Sequence, residues 1–221
     1  MAEINIVGVG PGSPDYVTSA AKKVVQQAQL VIGAQRSLSL FTADIKGETL
    51  VLTAKNIQTA LKHAAESAKS GKNVALLSTG DPGFSGLLHT VLESGVFSGI
   101  KINVVPGVSS IQACAARLTM SWDNIRLFTF HEGSVSEKEK QELVSALREG
   151  RSVMLLPDSR AFAPKDIASF LIKTGIDKKT PVYVCENTTL QNEKVTSSTL
   201  DGVVGQTFGS LCVMVIKQTV N

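Results

Sequence analysis

Short apolar runs alternate with amphipathic segments along the first half of the chain. The runs are INIVGVG at 4–10, LVIG at 30–33, TLVL at 49–52, NVALLS at 73–78 and KINVVPG at 101–107. Between them, SAAKKVVQQAQ, IQTALKHAAESAKSG and SGLLHTVLESG repeat their apolar residues three and four apart, a spacing that lays one helix face on a core. Thr18 is a suitable N-cap for the first of these, and Gly71 and Gly95 mark the ends of the other two. Strands alternating with helices predict a parallel sheet with crossover helices.

The pattern restarts at Ile125 with IRLFTFHEG. A charged helix follows, SEKEKQELVSALREG, with Leu143, Ala146 and Leu147 as its stripe and Gly150 as its stop. Then come SVMLLPDS, PKDIASFLIKTG, PVYVCEN and two final runs around 193–197 and 211–217. No Pro/Gly/Ser-rich linker separates the halves. The expected boundary lies in LTMSWDN, 118–124, giving an N-terminal α/β lobe over 1–118 and a C-terminal α/β lobe over 119–221.

Composition narrows the function classes. The 221 residues are 43% hydrophobic, enough for a sizeable core. Net charge is +3, and the 22 Lys and Arg are scattered, which argues against nucleic-acid binding by a basic stripe. Cys114, Cys185 and Cys212 lie far apart in apolar stretches, so the sequence predicts buried reduced thiols and no metal site. No run of about 18 apolar residues occurs, so no membrane span is expected, and the protein reads as soluble and cytoplasmic.

Candidate chemistry gathers where strands end. Gly10-Pro11-Gly12, Thr79-Gly80-Asp81-Pro82, Pro106-Gly107, His131-Glu132, Pro157-Asp158 and Cys185-Glu186-Asn187 each follow or close an apolar run. Open parallel sheets bind ligands outside the carboxyl ends of their strands, and with two lobes the expected site is the cleft between them. GVGPGS resembles a dinucleotide turn but has Ser13 where the third glycine belongs. Pro11, Pro14 and Asp15 delay the helix to about Thr18, and LVIGAQRS offers no acid for a ribose. SGKN lacks the remainder of a phosphate loop, and no nucleophile elbow occurs. GVSS at 107–110 reads as a helix N-terminus capped by Ser109 or Ser110. Of the three histidines, His131 alone closes a strand at the expected cleft. Asp81, Asp158 and Glu186 are carboxylates that strand ends can bring together.

Four stretches together resemble the tetrapyrrole methylase family in order and spacing. They are VGVGPGSPDYVTSAAKKVVQQAQLVIGAQRSL, LLSTGDPGFSGL, VVPGVSSIQACAARLTMSWDNIRLFTFHE and VYVCENTT. The resemblance covers nearly the whole chain and is strongest over 5–41 and 76–131. It implies a two-lobe α/β methyltransferase fold, with a mainly parallel sheet in the N-terminal lobe and a mixed sheet in the C-terminal lobe. Within the family the chain looks most like the branch that methylates carbon 5 of precorrin-7 or cobalt-precorrin-7 in cobalamin biosynthesis.

The resemblance further implies S-adenosylmethionine as cofactor. Its contacts would come from Pro11, Gly80, Asp81, Pro82, Val108, Ser109 and Ser110, with Leu156, Pro157, Cys185 and Glu186 from the second lobe. Gly10 and Gly12 would lie near the macrocycle, and Arg36, Arg117, Arg126 and Arg160 are candidates for its carboxylates, Arg36 and Arg117 foremost. His131 and Glu132 are the candidate catalytic residues, orienting the ring or moving a proton. A homodimer is implied, as is a separate enzyme for the C15 methylation and decarboxylation. Two departures bear on substrate contacts: Thr129-Phe130-His131-Glu132-Gly133 stands where relatives often read S-L-H-G-R, and Ser85 stands where an aromatic often follows the G-D-P-x-F turn.

Other readings make different predictions. A tetrapyrrole methylase for another ring position would methylate an earlier precorrin. A nicotinamide-dependent oxidoreductase would bind NAD and not S-adenosylhomocysteine. A non-catalytic ligand-binding protein would bind cofactor without turnover.

Overall fold

A computed structural model describes residues 2–130 and 135–218 and divides into two compact units at Ser110/Ile111. The helix that carries Ala113 to Arg117, placed in the first lobe by the sequence, therefore falls almost wholly in the second unit.

The first unit runs β1 (Glu3–Gly8), α1 (Ser19–Gln27), β2 (Leu30–Gly33), α2 (Gln35–Ser39), β3 (Glu48–Val51), α3 (Ile57–Lys69), β4 (Val74–Ser78), α4 (Leu87–Glu93) and β5 (Lys101–Val105). Its five strands are all parallel, in the order β3-β2-β4-β1-β5. Ile4, Ile6, Ile32 and Leu76 face α3 through Leu61, Ala64 and Ala68. Val7, Val31, Ala75 and Leu77 form the opposite face with Ala21 and Val25 of α1 and with Phe41. Central strands buried on both faces explain why LVIG and VALLS read as continuous apolar runs without alternation. Each fully buried Leu or Ile here contributes about 1.5–3 kcal/mol.

The second unit runs α5 (Ser110–Arg117), β6 (Arg126–Thr129), α6 (Glu137–Arg148), β7 (Val153–Leu156), α7 (Pro164–Lys173), β8 (Pro181–Glu186), β9 (Lys194–Thr199), α8 (Leu200–Val204) and β10 (Cys212–Ile216). Its sheet, β6-β7-β10-β8-β9, pairs β6 with β7 in parallel and every other neighbour antiparallel, so it is mixed, as expected. Leu143 and Leu147 of α6, Ile167 and Leu171 of α7 and Leu200 and Val203 of α8 cover one face.

The expected cap at Thr18 is formed. Thr18 Oγ1 accepts the backbone N–H of Ala21 at 3.1 Å and starts α1. Ser136 and Glu139 form a reciprocal capping box on α6. The five-residue helices α2 and α8 are absent from the sequence reading, because a single turn leaves too few positions to show a helical period.

Candidate functional site

The candidate residues of the first unit converge at the carboxyl edge of its parallel sheet. Gly8 ends β1, Ser78 ends β4 and Val105 ends β5, on neighbouring strands. Gly10 and Gly80 then pair as an antiparallel bridge, with the Gly80 N–H donating to Gly10 O at 2.9 Å and the Gly10 N–H to Gly80 O at 3.3 Å. Both have positive φ, +82° and +69°, the left-handed region that glycine enters without a Cβ penalty. GVGPGS is therefore a strand exit that turns to meet the neighbouring strand's exit, and the first α-helix begins only after its N-cap Thr18. Pro11 and Gly12 beyond it are half-buried.

Gly8, Gly80 and Gly107 touch backbone to backbone. A Cβ on Gly107 would lie 2.3 Å from Gly80 O, and one on Gly8 would lie 2.5 Å from Gly107 N. At Gly80 itself an added Cβ would meet only Ser109 Cα, at 3.8 Å. Apart from that contact, the space an added Cβ would take at Gly80 is open.

Asp81 holds the cluster. Its Oδ1 accepts the Gly83 N–H at 2.8 Å, closing its own turn, and its Oδ2 accepts the Gly107 N–H at 3.0 Å, tying the exit of β4 to that of β5. The carboxylate thus ties the turn at Gly80 to the exit of β5. Pro82 beside it is buried. Ser78 Oγ accepts the Leu87 N–H at 3.0 Å and fixes the start of α4 on the far side of the turn. α5 begins at Ser110, which leaves the buried Ser109 at the N-cap position and Val108 half-buried ahead of it.

Arg36 stands on α2, just beyond β2, and its Nη2 donates to Thr79 Oγ1 at 3.3 Å. Ser37 Oγ lies 3.5 Å from the same hydroxyl. Partial burial pulls the guanidinium pKa downward, yet an arginine stays charged in proteins. A cation is thereby anchored beside Gly80 at the same sheet edge. Neither Ser37 nor Ser78 was singled out from the sequence, since a serine in an apolar run carries no local signal of its partner.

In the second unit β6, β7 and β8 are mutually parallel, so Thr129, Leu156 and Glu186 end on one edge. Leu156 and Pro157 are buried, and Leu156 O accepts the Phe130 N–H at 2.9 Å. Cys185 is fully buried, which leaves its main chain as the candidate contact for a cofactor. Glu186 Oε1 accepts the Gly209 N–H at 2.7 Å. Asp158 accepts the N–H groups of Arg160 and Ala161 through Oδ1 at 2.7 and 2.8 Å, the habit of a turn-forming acid. Arg117 pairs with Glu193 at 2.6 Å, and Glu193 also accepts the Thr189 N–H at 2.6 Å. Arg117 is therefore already engaged, by an acid the sequence reading passed over. His131 and Glu132 lie outside the described residues.

Among the described residues no cluster of His, Cys, Asp or Glu has the arrangement of a metal site, and no helix is long and apolar enough to cross a membrane.

The profile of the family described as Tetrapyrrole (Corrin/Porphyrin) Methylases matches residues 3–204. A curated relative from Methanocaldococcus jannaschii, named "Probable cobalt-precorrin-7 C(5)-methyltransferase", is 38% identical over 215 residues, 97% of each chain. Among solved structures, the methyltransferase CobJ superposes with a TM-score of 0.83 at 19% identity, over 99% of this chain and 95% of that one. Uroporphyrin-III C-methyl transferase from Thermus thermophilus, complexed with S-adenyl homocysteine, superposes with a TM-score of 0.76 at 22% identity, over 97% of both chains.

Proposed function

The chain is a member of the tetrapyrrole (corrin/porphyrin) methylases, and from that premise we propose that it transfers a methyl group from S-adenosylmethionine to carbon 5 of precorrin-7 or cobalt-precorrin-7 in cobalamin biosynthesis. The observation that carries the reading is the relative named "Probable cobalt-precorrin-7 C(5)-methyltransferase", 38% identical over 97% of both chains.

The residues at the first sheet edge fit such a cofactor. S-adenosylmethionine has no phosphates, and the edge has no phosphate loop. It offers instead main chain brought close by small residues: the open turn at Gly80, the buried Pro82 and the Val108-Ser109-Ser110 segment. Main-chain N–H and C=O groups suit an adenine edge and an amino-acid tail. The same reading gives Pro11 a contact, and gives Leu156, Pro157, Cys185 and Glu186 theirs, Leu156 to Cys185 through main chain. When bound, the cofactor supplies a methyl on a sulfonium, an electrophile that needs no further activation.

The protein's part is alignment. Asp81 keeps the exits of β4 and β5 in fixed register, which holds the turn at Gly80 rigid. Arg36, anchored on Thr79, meets a carboxylate of the macrocycle, with Gly10 and Gly12 as the close-approach surface beside it. Positioning and exclusion of water lower the barrier by several kcal/mol without a dedicated base. His131 and Glu132 are assigned to orienting the ring. The resemblance to the family favours a homodimer as the active form.

The test is incubation with methyl-labelled S-adenosylmethionine and a panel of precorrins with and without cobalt, with the labelled carbon located by NMR. Label at carbon 5 of a precorrin-7 supports the reading. Methylation only of an earlier intermediate rejects it.

A further inference from the structure

Two of the buried cysteines meet. Cys114 on α5 and Cys185 on β8 are both 0% exposed, and their sulfurs lie 3.0 Å apart although the residues are 71 positions apart in sequence. That separation is only about 1 Å longer than a disulfide bond. Cys114 is the donor, and this hydrogen bond together with burial raises its pKa. On Cys185 the received hydrogen bond favours the thiolate, with help from Arg117, against burial and Glu193.

Cys212 is different in kind. It lies on β10, next to the residue that pairs with Cys185, so its side chain points to the opposite sheet face. There it packs in the apolar cluster with Leu200 and Phe128, and burial pushes its thiol up to about 12.

We propose that Cys114 and Cys185 are an oxidation site, closing to a disulfide when the folded protein meets a hydroperoxide. The Cys185 sulfur attacks one peroxide oxygen, the O–O bond breaks, and the departing oxygen keeps the bonding pair and takes the Cys185 proton. The resulting sulfenic acid is attacked at sulfur by Cys114. The S–S bond forms as hydroxide leaves, and that hydroxide takes the Cys114 proton. Two thiols are oxidised and one peroxide is reduced, so hydrogen peroxide yields two waters. Complete burial sets the oxidant class: a molecule of this size enters through local opening, whereas a bulky disulfide does not. The bond fastens α5 to β8, the helix that follows Val108-Ser109 and the strand that ends in Cys185-Glu186.

The experiment treats the full chain with hydrogen peroxide, removes the excess with catalase, unfolds and alkylates, and maps the peptides without reduction. The expected result is a monomer lighter by two hydrogens, with Cys114 and Cys185 peptides joined, Cys212 alkylated, and all three thiols alkylated after dithiothreitol. Cys212→Ala retains the cross-link. The same treatment in urea, where proximity is lost, gives mixed pairings that include Cys212. Three alkylatable thiols after exhaustive peroxide, a native-state cross-link through Cys212, or sulfinic acid on a single cysteine would each overturn the proposal.

Discussion

The carboxylate of Asp81 accepts the backbone N–H of Gly107 at 3.0 Å across the exits of two strands, β4 and β5, that are not neighbours in the sheet. β1 lies between them, and its last residue, Gly8, is the backbone over which this bond closes. Hydrogen bonds to a charged group contribute about 1.5–3 kcal/mol, and Asp81 makes two. Asp81→Ala is expected to lower stability by about 3 kcal/mol or more and to weaken S-adenosylhomocysteine binding at least ~10-fold through the loosened turn. Asp81→Asn retains an acceptor for one N–H but turns a donor toward the other, so it falls between. Chemical denaturation and titration calorimetry on the two variants check both orders.

Gly80 and Gly107 separate folding from binding. Gly107→Ala puts a Cβ 2.3 Å from Gly80 O, a backbone contact with no flexible side chain to yield. A loss of about 3 kcal/mol or more is expected from this overpacking. Gly80→Ala meets nothing closer than 3.8 Å and carries only the cost of φ +69°, about 1–2 kcal/mol. The expected outcome is a Gly80→Ala protein that folds, by circular dichroism, yet has lost most of its cofactor affinity because the methyl group fills the open side of the turn. Full affinity in that variant would remove Gly80 from the cofactor site.

Arg36 is held by Thr79 and sits beside the same turn. Charge-assisted contact with a substrate carboxylate predicts that Arg36→Ala raises KM for the macrocycle about 10-fold or more, with a smaller change in kcat. Arg36→Lys restores part of the affinity without the forked geometry. Steady-state kinetics with S-adenosylmethionine held saturating distinguishes this from a cofactor defect.

The capping box of α6 gives a pH signature. Hydrogen bonds from the Ser136 hydroxyl and backbone N–H lower the Glu139 pKa below its ordinary 4.5. A depressed folded pKa contributes stability that is fully present above the unfolded value and lost as pH falls through the folded one. The contribution therefore persists at pH 7 and disappears below about pH 4.5. Ser136→Ala is expected to cost about 1 kcal/mol at neutral pH and to flatten this part of the acid limb. Denaturation midpoints for the two proteins, measured from pH 7 to pH 3, should draw closer as the pH falls, with the Glu139 N–H cap to Ser136 Oγ leaving a residual gap.

Most elements were legible because their information is local. Alternation between apolar runs and helical stripes placed β1 to β5, α1, α3 and α4, and Thr18 supplied its own cap. The mixed character of the second sheet and the S-adenosylmethionine expectation came from the resemblance of VGVGPGS, STGDP and PGVSS to a known family, since composition and period alone left a nicotinamide reading open.

What the sequence by itself determined is therefore the order of the strands and the longer helices and the strand ends at which the small and acidic residues gather. Tertiary structure decided what those residues do. Asp81 became a tie because Gly107, 26 positions on, brings its N–H within reach, and Arg117 became an ion-pair partner because Glu193 folds back to it. Cys114 and Cys185, which look inert in their own apolar segments, became a pair only when α5 packed on β8. The physical reason is the same in each case. Strand and helix periods are properties of a few consecutive residues, whereas a hydrogen bond or a sulfur contact depends on distances that only the closed sheets and their crossovers fix.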